Sequence, residues 1–210
     1  MALLGNFLAA ACLTALCCYL LGSVNLAVLV SSRKFGRDVR TCGSGNAGST
    51  NMLRTFGWKA AIPVFLGDML KGALAVWAGV ELFSLFSAEW KEAGYLGGFF
   101  ALVGHMWPVW FGFRGGKGVA AGLGIVIALH PVAGPLLLLS GFAVAALSGY
   151  VSMASVLGAA AYPVMAACLG GWKEFWPGLA LAALILYGHR ENIRRLLAHK
   201  ENKFTPPPKG

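Results

Sequence analysis

The sequence predicts an all-α integral membrane protein of about seven transmembrane helices, with the N-terminus outside and the C-terminus in the cytoplasm. Three observations predict it. Mean hydropathy is +0.69 over 210 residues. With 58% hydrophobic residues against 12% charged, this excludes an ordinary soluble domain. Charge-free runs recur at the length of about 20 residues that crosses a hydrocarbon core: residues 1–32, 93–113 and, histidines aside, 118–172. Finally, the basic residues are unevenly placed. Arg33, Lys34, Arg37, Arg40, Arg54 and Lys59 form one group, Arg114 and Lys117 a second, and Arg190, Arg194, Arg195, Lys200, Lys203 and Lys209 a third. The positive-inside rule puts all three groups in the cytoplasm.

The spans follow in order. The first covers 3–30; it lacks a basic n-region and exceeds a signal-peptide core in length, so it is read as a retained helix. The second, 60–80, contains Asp68 and Lys71 three residues apart, which either pair with each other or serve a site, since charges in lipid are costly. The third, 95–113, carries His105, read as a hydrogen-bonded interior histidine. Spans at 118–129 and 134–147 are short and separated by His130-Pro131 and Gly134-Pro135. They form two crossings or a re-entrant pair, giving seven spans or five. A single span over 118–147 would put the basic tail outside and is rejected. Spans at 151–169 and 173–188 complete the set. Lys91 and Lys173, with Glu81, Glu89, Glu92 and Glu174, fall in the outer loops.

Residues 1–203 are therefore expected to form one helical domain, and 204–210, with Pro206-Pro207-Pro208, a flexible cytoplasmic tail. Cys12, Cys17, Cys18 and Cys168 lie within spans and Cys42 in a loop. Their spacing matches no metal site, so neither metal nor disulfide is inferred.

On this topology the polar chemistry collects on one face. Residues 43–54 read Gly-Ser-Gly-Asn-Ala-Gly-Ser-Thr-Asn-Met-Leu-Arg. Glycines at 43, 45 and 48 let backbone N–H groups approach a phosphate, while Ser44, Asn46, Thr50 and Arg54 can reach its oxygens. The literal G-x-G-x-x-G over 43–48 is not read as a dinucleotide site, which needs a strand before it and a βαβ unit around it. A second glycine-rich segment, Gly115-Gly116-Lys117-Gly118, fixes a lysine on a turn at a helix start, suited to neutralising an anion. It is not a Walker A loop, because Phe111 and Gly118 stand where glycine and Ser or Thr are required. At the end of the last span, His189 and Asn192 share a helical face and can hold a hydroxyl and a phosphate; His189 can also act as a base. Ser152 and Ser155 open the sixth span on one face, for packing or for the site.

Residues 43–57, 102–124 and 189–197 resemble, in order and position, the three cytoplasmic motifs of the acyl-phosphate:glycerol-3-phosphate acyltransferases, the bacterial PlsY family. Stretches at 19–23, 67–72 and 150–152 are similar too, so the resemblance covers nearly the whole chain. It implies an enzyme of the bacterial inner membrane with its site facing the cytoplasm. That enzyme moves an acyl group from acyl phosphate to the sn-1 hydroxyl of glycerol 3-phosphate, giving lysophosphatidic acid and phosphate for phospholipid synthesis. Carried over residue by residue, it implies Ser44, Thr50 and Arg54 as phosphate contacts, and with them Gly45 and Asn46 of the first loop and Gly115 and Gly116 of the second as phosphate-binding residues. It implies Lys117, Ser155, His189 and Asn192 as catalytic. Ala47 stands where proline is frequent in the family and Ser49 where alanine is usual.

The implied partners are glycerol 3-phosphate, a long-chain acyl phosphate and membrane lipid. No cofactor, metal or nucleic acid is expected, and a single bundle of this size can act as a monomer. The general base stays open between His189 and a substrate phosphate oxygen. No histidine has aspartate five residues on, so the H-x-x-x-x-D pair of the soluble-domain glycerolipid acyltransferases is absent, which disfavours a thioester donor. The alternative function is a small transporter or channel for a phosphorylated solute. That reading calls for an inverted repeat and polar groups on both faces.

Overall fold

The computed structural model describes residues 2–86 and 92–204, and all its regular elements are helical. In chain order they are α1 (Ala2–Gly22), α2 (Leu26–Phe35), α3 (Ser49–Phe56), α4 (Trp58–Ser84), α5 (Ala93–Met106), α6 (Val119–Leu129), α7 (Ala133–Ser148), α8 (Val151–Gly170), α9 (Phe175–Gly188) and α10 (Arg190–Leu197). By length and hydropathy, residues 4–35, α4 and α8 can each cross a bilayer. Of the outer-loop residues named above, Glu89 and Lys91 lie outside the described residues, as do Pro206–Pro208 of the tail.

The first span is not the single helix expected over 3–30. It breaks at Ser23–Asn25, where the backbone groups freed by the break are taken up by buried polar side chains. Asn25 caps α2, its Oδ1 accepting from Val28 N–H at 3.0 Å. Lys71 donates to the Val24 carbonyl at 2.8 Å while pairing with Asp68 at 2.7 Å. The Asp68–Lys71 pair thus holds the break, and His105 stands 3.7 Å from the same carboxylate. The third span also ends earlier than expected, at Met106. Trp107 precedes Pro108, and proline disfavours helix in the residue before it. Residues 107–118 instead form a loop with one 3-10 turn at Val109–Phe111.

Helices run back and forth between two ends of the bundle. At one end Phe7 of α1 meets Phe83 of α4 edge to face, Tyr95 of α5 bonds His130 after α6 at 2.8 Å, and Lys173 pairs with Glu92 at 3.0 Å. At the other end lie the connections 36–57, 107–118, 149–150 and the C-terminal segment. That second end holds the polar motifs.

In lipid there is little hydrophobic drive between helices, so small residues that allow close backbone approach carry the packing. α4 lies directly on α6: a Cβ added at Gly124 would sit 1.9 Å from the Met69 carbonyl oxygen, and one at Gly72 would sit 2.2 Å from that of Ala121. α1 and α5 meet the same way at Gly22 and Gly104. Gly124→Ala is therefore expected to force α4 and α6 apart. Overpacking of this kind costs about 1–3 kcal/mol, set against the ~1 kcal/mol that alanine gains over glycine within a helix. Thermal unfolding in detergent should show a lowered Tm for Gly124→Ala. Gly5→Ala, with no atom within 4 Å of the added Cβ, should hold or raise it.

Candidate active site

The first motif is organised by a residue that the sequence reading did not single out. Asn51, in the first turn of α3, is 1% exposed. Its Nδ2 donates to the carbonyls of Val39, Cys42 and Asn46, each at 3.0 Å. Its Oδ1 accepts the Ser44 N–H at 2.9 Å. One amide side chain thus closes the whole loop over 39–46. The close approach requires glycine at 43, where φ is +55° and a Cβ would fall 2.3 Å from Asn51 Oδ1. Gly45 is also left-handed, at φ +71°. Ser44 and Arg54 then line a polar cavity of about 420 Å³, together with Gly43, Asn202 and Lys203. Thr50 is half-buried at the start of α3, next to Asn51.

The second motif is fastened to the first. Arg40 binds Asp38 through both carboxylate oxygens and donates to the carbonyls of Phe111 at 2.6 Å and Arg114 at 3.1 Å. The Arg40 hydrogen bond holds the Asp38 carboxyl below its ordinary pKa. The N–H groups of Gly115 and Gly116 donate to Met106 O and His105 O, both at 3.1 Å. The two glycines were expected to offer backbone donors to a phosphate; here their N–H groups cap the end of α5. They shape the turn instead. A Cβ at Gly116 would lie 2.3 Å from His105 Nε2 and 2.8 Å from the Ala47 carbonyl.

The turn delivers Lys117 to the third motif. Its Nζ donates to Asn192 Oδ1. Burial, with the charges of Arg195 and Arg54 adding to it and Glu201 opposing, lowers the Lys117 pKa to about 8. His189 is 3% exposed, with Nδ1 2.8 Å from the Ile185 carbonyl. A carbonyl only accepts, so Nδ1 carries the proton and Nε2 holds the lone pair. Burial, with Lys117 adding to it and the Ile185 bond opposing, brings its pKa down to about 4. His189 is neutral near pH 7.

The two serines of α8 part company. Ser152 donates to Glu201 Oε1 at 3.0 Å, within the polar cluster. Ser155 donates back to Val151 O at 2.9 Å and lines an apolar cavity of about 200 Å³ between α6, α7, α8 and α9. One helical turn therefore separates the polar Glu201 cluster from an apolar cavity.

Ser44, Arg54, Lys117, His189 and Asn192 thus come together at one end of the bundle, and Ser155 borders the neighbouring cavity. The sequence reading did not find Asn51, Arg40 or Glu201. Only the dense polar run around Asn51 offered a signal. Removing the Asn51 amide leaves the buried Val39 carbonyl without its partner, at about 1–3 kcal/mol, and frees the part-buried Cys42 and Asn46 carbonyls and the Ser44 N–H. Asn51→Ala should therefore speed hydrogen–deuterium exchange across 39–48 at least tenfold, while exchange in α8 stays as in the wild type.

Comparison with known proteins accords with this geometry. The family model described as glycerol-3-phosphate acyltransferase matches residues 12–199. A glycerol-3-phosphate acyltransferase of Clostridioides difficile (strain 630) is 42% identical over 186 residues, covering 89% of this chain and 91% of that one. One from Thermoanaerobacter sp. (strain X514) is 41% identical over 195 residues, covering 92% and 96%. Among solved structures, PlsY (YgiH), an integral membrane glycerol 3-phosphate acyltransferase in its glycerol 3-phosphate form, superposes with a TM-score of 0.83 at 36% identity. It covers 93% of this chain and 96% of its own. The lysophosphatidic acid form gives 0.81 at 34% identity, covering 93% and 95%. With its motifs gathered at one end of an integral membrane helical bundle, this chain belongs to the glycerol-3-phosphate acyltransferase family.

Proposed function

We propose that the protein transfers an acyl group from acyl phosphate to the sn-1 hydroxyl of glycerol 3-phosphate, releasing lysophosphatidic acid and inorganic phosphate. One observation carries the reading: on α8, Ser152, bonded into the polar cluster of Glu201, Asn192 and Lys117, stands one helical turn from Ser155, which lines an apolar cavity. The reaction must join an anionic headgroup to a long acyl chain. Relatives named for glycerol 3-phosphate and lysophosphatidic acid support the same acceptor and product.

In this mechanism Ser44, Thr50 and Arg54, with Gly45 and Asn46 shaping the loop, hold the phosphate of glycerol 3-phosphate. Lys117, carried on the Gly115–Gly116 turn and held by Asn192, faces the second anion. The acyl chain runs past Ser155 into the apolar cavity and on into lipid. The sn-1 oxygen attacks the acyl carbonyl, the bond from carbonyl carbon to phosphate oxygen breaks, and phosphate leaves. Holding both reactants in place can lower the barrier by several kcal/mol, and each donor aimed at the developing oxyanion contributes about 3 kcal/mol.

The departing proton goes to a phosphate oxygen. His189, with a pKa lowered to about 4 by burial, is too weak a base for that task at neutral pH. It serves better as a neutral partner that orients the hydroxyl through Nε2.

The same reading places the protein in the bacterial cytoplasmic membrane as a monomer with seven crossings: α1 and α4 to α9. The N-terminus is outside and the C-terminus and site face the cytoplasm; a re-entrant α6–α7 pair is the five-crossing alternative. The catalytic and phosphate-binding residues fall within a single domain of residues 1–203. α6 alone has 11 residues, or about 16 Å. Its far end nonetheless meets the start of α5 through His130 and Tyr95, which favours seven.

Purified protein given palmitoyl phosphate should release phosphate and form lysophosphatidic acid only when glycerol 3-phosphate is present. Lys117→Ala should lower kcat/KM by about two to three orders of magnitude. Because Lys117 acts as a cation, the rate should fall as pH rises through about 8, with no inflection from His189 between pH 5 and 7. Absence of product from folded protein, with solute uptake by liposomes instead, would favour the transporter.

A further inference from the structure

The chain does not trail away after α10. His199 turns it back at φ +55°, and residues 200–204 cross the site as a strap. Phe204 N–H donates to Gly149 O at 2.7 Å. Its ring packs on the apolar cluster built from α2, α3 and the first-motif loop. Between these anchors the strap puts Asn202 and Lys203 on the wall of the polar cavity and buries Glu201, whose side chain is 5% exposed.

Glu201 collects donors from two helices. Asn192 Nδ2 and Ser152 Oγ reach Oε1 at 2.7 and 3.0 Å, and Arg195 Nε reaches Oε2 at 2.7 Å. The contact with Asn192 has a chemical consequence. An amide side chain is nearly symmetric in shape, and turning it over would set its NH₂ against the Lys117 ammonium. An ionised carboxylate only accepts. Glu201 therefore selects the orientation in which Nδ2 faces the strap and Oδ1 faces Lys117. It also supplies the negative charge among three cations, Lys117, Arg54 and Arg195. Burial raises the Glu201 carboxyl pKa, and the bonds from Asn192, Arg195 and Ser152 outweigh this and hold it below the ordinary value.

We propose that Glu201 is a positioning residue for acyl transfer: through the Asn192 amide and its own charge it holds Lys117 cationic and aimed at the substrate phosphates. It touches no substrate itself. The groups facing Lys117 are Asn192, Arg195 and His189 from the third motif, Arg54 from the first, and Glu201 from the strap. Removing the strap's negative charge leaves the cations unopposed, so Lys117 loses its proton at lower pH.

The inference rests on the acyltransferase reading, and the test separates the two. The pH–rate profile of palmitoyl phosphate-dependent lysophosphatidic acid formation would be measured for wild type, Glu201→Gln and Glu201→Asp in detergent, with Tm recorded for each. Glu201→Gln should lose about tenfold in kcat/KM at pH 7.5, the size of one hydrogen bond to a charged group. Its alkaline limb should move down by about half a pH unit or more. Glu201→Asp keeps the charge and should keep the limb near its wild-type position. Both variants losing activity with the limb unmoved would mean a merely structural strap and would overturn the inference, as would Glu201→Gln matching wild type. Wild-type protein without product would instead overturn the acyltransferase reading, and this inference with it.

Discussion

A lysine ammonium held at the edge of an apolar bundle sets the terms for everything around it. Lys117 sits where burial and two arginines favour its neutral form, yet an anion-handling site needs the cation. The Asn192 side-chain carbonyl accepts its hydrogen bond, Glu201 fixes that amide from behind, and the glycine turn before Lys117 is pinned to the end of α5. The three motifs of the sequence are distant along the chain. They act as one site because each supplies something this single charge requires.

The surrounding architecture follows from a second constraint, that backbone groups next to lipid cannot be left without partners. At several breaks between helices a polar side chain absorbs the cost. Asn25 and Lys71 do so at the kink after α1, Asn51 in the first motif loop, and Arg40 between the first and second motifs. These are the residues that give the polar end its rigidity, while the glycine contacts between α4, α5 and α6 give the bundle its closeness. A rigid polar end joined to a tightly packed bundle suits a reaction in which alignment of two bound molecules contributes much of the rate.

The sequence was most legible where one physical rule acts alone. Hydropathy located α4 and α6 to α9 within a few residues, because the cost of polar groups in lipid leaves little freedom. Glycine spacing and cations located both polar loops at the site end of the bundle. The break at Ser23–Asn25 was masked by the apolar run around it: Gly22 and the Asn25 cap mark it locally, but Lys71, which takes up the Val24 carbonyl, lies 47 residues away. The engagement of the Gly115 and Gly116 N–H groups was hidden because α5 must end beneath them. Glu201 was the hardest to see. It lies past the last apolar helix, in a polar stretch that reads as solvated tail, and it matters only because Phe204 returns the chain to the first motif.

The most direct test of the central claim is a crystal structure of the protein grown from lipid with glycerol 3-phosphate bound. The account predicts the phosphate in the cavity lined by Ser44 and Arg54, its sn-1 hydroxyl turned toward Lys117 and His189 at the mouth of the apolar cavity beside Ser155. A phosphate bound at the opposite end of the bundle, near Glu92 and Lys173, would contradict it.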